Sequence, residues 1–148
     1  MERIIKIATK GAMRIIALYG HANCGKSNTL NRLKMMLRSA GKSISTIPHP
    51  RCEQPETFLY KGLVVSVAPA GDDMNTISSN IRYFDSKKCD VAITASRSKG
   101  VTVRLLLDLA SNIGTDIEWV QKSYEHSLSQ STQGLCNQEM AQLIYDMI

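Results

Sequence analysis

The sequence predicts an α/β domain: a three-layer, doubly wound, mainly parallel sheet of about five core strands, with room for an antiparallel hairpin at one edge. Three observations carry this. Arg14–Tyr19 (RIIALY), Leu63–Ala68 (LVVSVA) and Asp90–Ala95 (DVAITA) are short, near-continuous apolar runs, as expected of strands buried on both faces of a parallel sheet. Segments with apolar residues at helical spacing separate them. Strand and helix alternate with no internal repeat or linker, and right-handed crossovers turn such alternation into a layered sheet.

The 148 residues suit one domain, taken as 13–148. Residues 1–12 are an extension or, through Ile4, Ile5 and Ile7, an edge strand; the extension is preferred because Met13 is a natural beginning. Hydrophobic content of 43% and charged content of 21% are near globular averages. No apolar run approaches a membrane span, and the first residues lack the continuous apolar core of a signal peptide. A cytoplasmic protein is expected. Cys24, Cys52, Cys89 and Cys136 contain no C-x-x-C pair, so neither a zinc site nor a disulfide framework is indicated. Net charge is +5, but only 5% of residues are aromatic and no RNA-binding signature occurs. Nucleic acid is not indicated as a partner.

Between the first strand and the first helix stands Gly20-His21-Ala22-Asn23-Cys24-Gly25-Lys26-Ser27, with Asn28 following. Average residue usage would produce G-x-x-x-x-G-K-S by chance in under roughly 1% of chains this long. Gly20 is expected to allow a sharp turn through positive φ. Gly25 is expected to let backbone approach an anion closely. The loop N–H groups and the start of the next helix make an anion nest. Lys26 supplies a point charge for β- and γ-phosphates, and the Ser27 hydroxyl a ligand for Mg²⁺. Cys24 and His21 occupy variable positions. Cys24 reads as a small filler in preference to a reactive thiol.

With this motif between a strand and a helix, the chain resembles a small single-domain P-loop NTPase with a Walker A loop. The resemblance is strong over these eight residues and weaker from Arg14 to Lys122. It implies the P-loop NTPase fold, with ATP or another nucleoside triphosphate and Mg²⁺ as cofactors.

The first helix spans Lys26 to about Ala40, with Leu30, Leu33, Leu37 and Ala40 on one face and Gly41 as its stop. Arg32, Lys34 and Arg38 read as a solvated face. Ser43–Ile47 alternates as a short strand and ends at Pro48 and Pro50. Arg51 lies in the following loop, where a solvated role outweighs an acceptor-binding one. Phe58–Tyr60 and Leu63–Ala68 form two strands around Lys61-Gly62. Pro69-Ala70-Gly71-Asp72-Asp73 follows. One of these aspartates could hold Mg²⁺ through water, as a Walker B acid does, or cap the next helix; each could take one role. Three residues separate Asp72 from the strand, where a usual Walker B acid ends the run directly.

The next helix, about Asn75–Asp85, presents Met74, Ile77, Ile81 and Phe84 on one face. DVAITA then ends in Ser96-Arg97-Ser98-Lys99-Gly100. Ligands of open α/β sheets bind beyond the carboxyl ends of strands, so Thr94, Ser96, Arg97 and Lys99 are expected to face the phosphates. Arg97 could neutralise transferring phosphoryl charge or be an ordinary basic loop residue. Val101–Ile113 is a leucine-rich helix, buried on more than one side or facing a second copy. Asp116–Gln121 is the last strand, with Trp119 in the core. Ser123–Gly134 reads as a mobile loop without the arginines of a developed kinase lid, and His126 as exposed. The last helix, about Asn137–Met147, carries Met140, Leu143, Ile144 and Met147 on one face.

The leading functional expectation is ATP binding with slow Mg²⁺-dependent hydrolysis, activated by a protein partner. Lys26, Asp72, Asp73 and Arg97 are its candidate catalytic residues, and Ser27 and Asp72 its metal ligands. A small nucleotide or metabolite kinase and a non-catalytic nucleotide-dependent module are the alternatives. No N-K-x-D guanine-reading motif occurs.

Overall fold

The structure is a computed structural model that describes residues 13–21, 24–45, 54–122 and 130–148. Expectations for residues 1–12, Ala22, Asn23, Ile47, Pro48, Pro50, Arg51, Cys52 and His126 lie outside these. Within them run β1 (Arg14–Tyr19), α1 (Lys26–Ala40), β2 (Lys42–Ser43), β3 (Glu56–Tyr60), β4 (Leu63–Ala68), α2 (Met74–Lys87), β5 (Val91–Ser96), α3 (Val101–Ile113), β6 (Ile117–Gln121) and α4 (Gln130–Met147). The strands form one mixed sheet in the order β2-β3-β4-β5-β1-β6. β4, β5, β1 and β6 run parallel, while β2 and β3 form an antiparallel edge.

Pleating sends alternate side chains of β1 to opposite faces. Ile16 and Leu18 meet Leu30, Leu33 and Leu37 of α1 and Ala141 and Ile144 of α4. Ala17 meets Ile77 of α2 and Leu106 of α3. The two helix pairs therefore cover the two faces of the sheet. The β3–β4 hairpin closes through Lys61 (φ 52°) and Gly62 (φ 76°), consecutive left-handed residues whose twist suits a two-residue turn. Among the described residues no helix is long and apolar enough to cross a membrane.

Several expectations change. The strand expected over Ser43–Ile47 is Lys42–Ser43 in the described residues, extended by the Ile44 N–H bond to the Thr57 carbonyl. Trp119 is 38% exposed, because β6 is an edge strand; its ring meets Tyr19 edge to face at 5.7 Å. α4 begins at Gln130, so residues 130–134 of the Ser/Gln stretch are helix, not loop. This helix packs along α1, and Gly134 lies close to Arg32. On α4 Ala141 and Ile144 are fully buried, and Leu143 is exposed. On α3 Leu106 is buried and Leu107 exposed. Gly41 caps α1 without left-handed geometry (φ −125°); a side chain there would strike the Leu59 carbonyl.

The cationic face of α1 is also not simply solvated. Lys34 is buried and donates to the Gln54 carbonyl at 2.7 Å. It faces Glu56 of β3 at 3.7 Å, and Arg38 binds the same carboxylate with Nε and Nη2. Ser43 Oγ completes the set at 2.7 Å. Burial alone would push the Glu56 carboxyl up. The hydrogen bonds from Arg38 and Ser43 and the two cationic charges outweigh it and hold the group below the usual range.

Because its native pKa is depressed, Glu56 contributes stability that is present above the ordinary carboxylate value of about 4.3 and is lost as pH falls through the lower native value. Glu56→Gln, which removes the carboxylate charge that Lys34 and Arg38 share, is expected to cost about 2–4 kcal/mol in urea unfolding at neutral pH. It should also flatten the acid limb of the stability profile; an unchanged limb would remove Glu56 from the acid response.

Candidate functional site

All four parallel strands end on one edge, so the described residues that directly follow β1, β4, β5 and β6 lie along it. Gly20 lacks the positive φ expected of it and is instead a position of close approach. Gly25 has a positive φ (97°) and opens α1 without a side-chain cap. A methyl on Gly20 would lie 2.7 Å from the Lys122 carbonyl and 2.8 Å from Cys24 Sγ. Cys24 is buried against the loop, as a filler would be.

Lys26 starts α1 and folds back over the loop. Its ammonium donates to the Gly20 and His21 carbonyls at 2.9 and 3.0 Å and meets Asp72 Oδ1 at 2.9 Å. These three acceptors match its three protons. The lysine is buried, while the Asp72 side chain is 45% exposed. Ser27 Oγ donates to the Pro69 carbonyl at 3.2 Å. Asn28 is exposed beside them.

The three residues before Asp72 now have a reason. β4 is not next to β1, because β5 lies between them. Two strand spacings amount to about 10 Å, and Pro69-Ala70-Gly71 crosses that gap. Gly71 passes so near β5 that a methyl there would fall 1.9 Å from the Ala95 carbonyl oxygen. Asn80 of α2 holds the crossing, donating to the Ala70 carbonyl at 2.7 Å and to Thr94 Oγ1 at 3.2 Å.

Of the two aspartates, Asp73 takes the capping role on α2, accepting the Thr76 N–H at 2.8 Å. That backbone hydrogen bond holds its carboxyl below the usual range. Asp72 points to Lys26. A cleft of about 590 Å³ lies between the loops, lined by Lys26, Ser27, Asn28, Gly71, Asp72 and Asp73 among others.

Thr94 and Ser96 do not line it. Thr94 is buried toward Asn80, and Ser96 bonds the Arg97 carbonyl (2.9 Å) and Thr102 (3.4 Å). Arg97 and Lys99 are exposed and border a neighbouring cavity of about 350 Å³ with His21 and Asp72. Among the described residues no group of three or more His, Cys, Asp or Glu comes together as a metal cage.

Three residues at the site had no part in the expectations. Asn80 interrupts the apolar face of Ile77, Ile81 and Phe84, and that interruption was the available signal. Lys122, just past β6, and Asn137 of α4 are both buried. A methyl on Gly25 would lie 2.8 Å from Asn137 Oδ1 and 3.4 Å from Lys122 Nζ. Asn137 Oδ1 also accepts from Thr29 Oγ1 at 3.3 Å. Comparison with protein-family models, curated proteins and solved structures found no match to this chain.

Gly71→Ala must displace either its loop or β5, and a loss of about 1–3 kcal/mol in denaturant unfolding is expected. Asp73→Ala should lower the unfolding temperature by a few degrees through loss of the cap. If Gly71→Ala proved neutral, the close crossing over β5 would be wrong.

Proposed function

We propose that this chain is a P-loop NTPase that binds ATP and hydrolyses it slowly with Mg²⁺, under control of a protein partner. The supporting observation is the convergence of Lys26, Ser27 and Asp72 on one cleft at the carboxyl edge of the sheet. Its volume lies within the range of small-ligand sites. The uncapped start of α1 adds N–H groups and the positive end of the helix dipole, with no acidic residue in the first turn. Terminal phosphate oxygens would replace Asp72 as the acceptor of Lys26. Asp72 would then be free to hold or orient a water.

Ser27 Oγ and Asp72 fit Mg²⁺, which takes one or two protein oxygens and fills its octahedron with phosphate and water. When bound, that ion would offset the charge of the terminal phosphates. Ser27 would turn from the Pro69 carbonyl to do so. Arg97 borders the neighbouring cavity rather than the cleft, which favours a cation supplied by a partner over an arginine finger in cis. The missing N-K-x-D motif favours adenine.

The test is titration with a fluorescent ATP analogue, with and without Mg²⁺. Lys26→Ala, which removes charge-assisted hydrogen bonds, is expected to weaken binding roughly thirtyfold or more. Equal affinity in that variant would refute the phosphate cradle. Asp72→Asn should slow phosphate release while nucleotide still binds; undiminished release would leave Asp72 without a catalytic part.

A further inference from the structure

We infer that the cavity on the far side of Asp72 binds a second small ligand carrying a phosphate or carboxylate group. This rests on the nucleotide reading only for what lies next door, the terminal phosphate.

The cavity holds about 350 Å³ and shares the Asp72 wall with the larger cleft. Its size is at the low end of small-ligand sites, suited to a metabolite and not to a macromolecular segment. Its cations outnumber its acids: Arg97 and Lys99 stand against Asp72 alone among the described lining residues. Asp72 is met by Lys26 at 2.9 Å here and would be met by Mg²⁺ once nucleotide is bound. An anion is therefore the complementary ligand. A guanidinium fork selects planar carboxylate or phosphate edges, and the ammonium adds a point charge.

The wall is also pre-shaped. Thr102 is buried at the first turn of α3, and its Oγ accepts the Arg97 N–H at 3.3 Å while contacting Ser96 Oγ at 3.4 Å. The segment bearing Arg97 is thus tied at both ends, and less ordering is left for binding. Simple hydrolysis needs one ligand and a water. Two cavities meeting at one carboxylate set a second molecule beside the first.

The experiment uses amide NMR spectra of the full chain, saturated with a non-hydrolysable ATP analogue and Mg²⁺, and titrated with inorganic phosphate. Resonances of Arg97 to Thr102 are expected to shift saturably. The double variant Arg97→Gln/Lys99→Gln should weaken that phosphate affinity by about tenfold or more with nucleotide affinity kept. The exchanged pair Arg97→Lys/Lys99→Arg should retain much of the phosphate response. If nucleotide does not bind at all, the nucleotide reading fails alone, and the same titration without it still decides the subsite by which amides move. The inference is overturned if phosphate moves only residues 24–28, or if the 97–102 shifts survive in the double variant. It is equally overturned if that variant loses nucleotide affinity to the same degree, because the cavity would then be part of the first site.

Discussion

Asp72 reaches Lys26 only because the chain leaving β4 crosses the end of β5 at contact distance. β5 sits between the strand that feeds the glycine loop and the strand that feeds the acid, so the two charged groups begin two strand spacings apart. The crossing needs a residue without a side chain above the Ala95 carbonyl, and Gly71 is that residue. The Ser27 hydroxyl bond to Pro69 and the Asn80 bond to Ala70 fix the same segment from either side. Strand order thus determines the geometry of the cleft before any side-chain chemistry is considered.

Around the cleft the interior is unusually polar. Lys26, Thr29, Asn80, Thr94, Lys122 and Asn137 are all buried. Buried polar groups are costly unless partnered; Lys26 bonds loop carbonyls and Asp72, Thr29 bonds Asn137, and Asn80 bonds the Ala70 carbonyl and Thr94. Such a shell holds loops in place while contributing little apolar burial. The apolar core lies further back, under α1 and α4 on one face and α2 and α3 on the other. The Glu56 cluster ties α1 to the antiparallel edge, so the helix that opens at Gly25 is anchored at its far half as well.

The three apolar runs were legible as strands because a strand covered on both faces has no polar alternation to confuse it. The place of the glycine loop between β1 and α1 was legible from the apolar run before it and the helical spacing after it, although the positive φ expected at Gly20 is found at Gly25. Periodicity could not reveal that Lys34 and Arg38 meet Glu56, because the carboxylate lies on a different element. Nor could it find Lys122 and Asn137, which matter through contact with a loop remote in sequence. Trp119 was misplaced because strand order, and hence which strand is an edge, is not written in local pattern. Whether Asp72 or Asp73 would cap the helix depended on where α2 begins, which neighbouring aspartates do not reveal; the Thr76 N–H bond goes to Asp73.

The tight passage at Gly71 has a consequence for kinship. Any side chain there collides with backbone, which cannot swing aside as a lysine tip can. Descendants of a common ancestor should therefore keep glycine at 71 even where neighbouring loop residues drift. A pattern joining G-x-x-x-x-G-K-S to a later apolar run, three residues ending in glycine and then an aspartate would be far more selective than the first motif alone. It offers a way to gather relatives whose overall identity has faded.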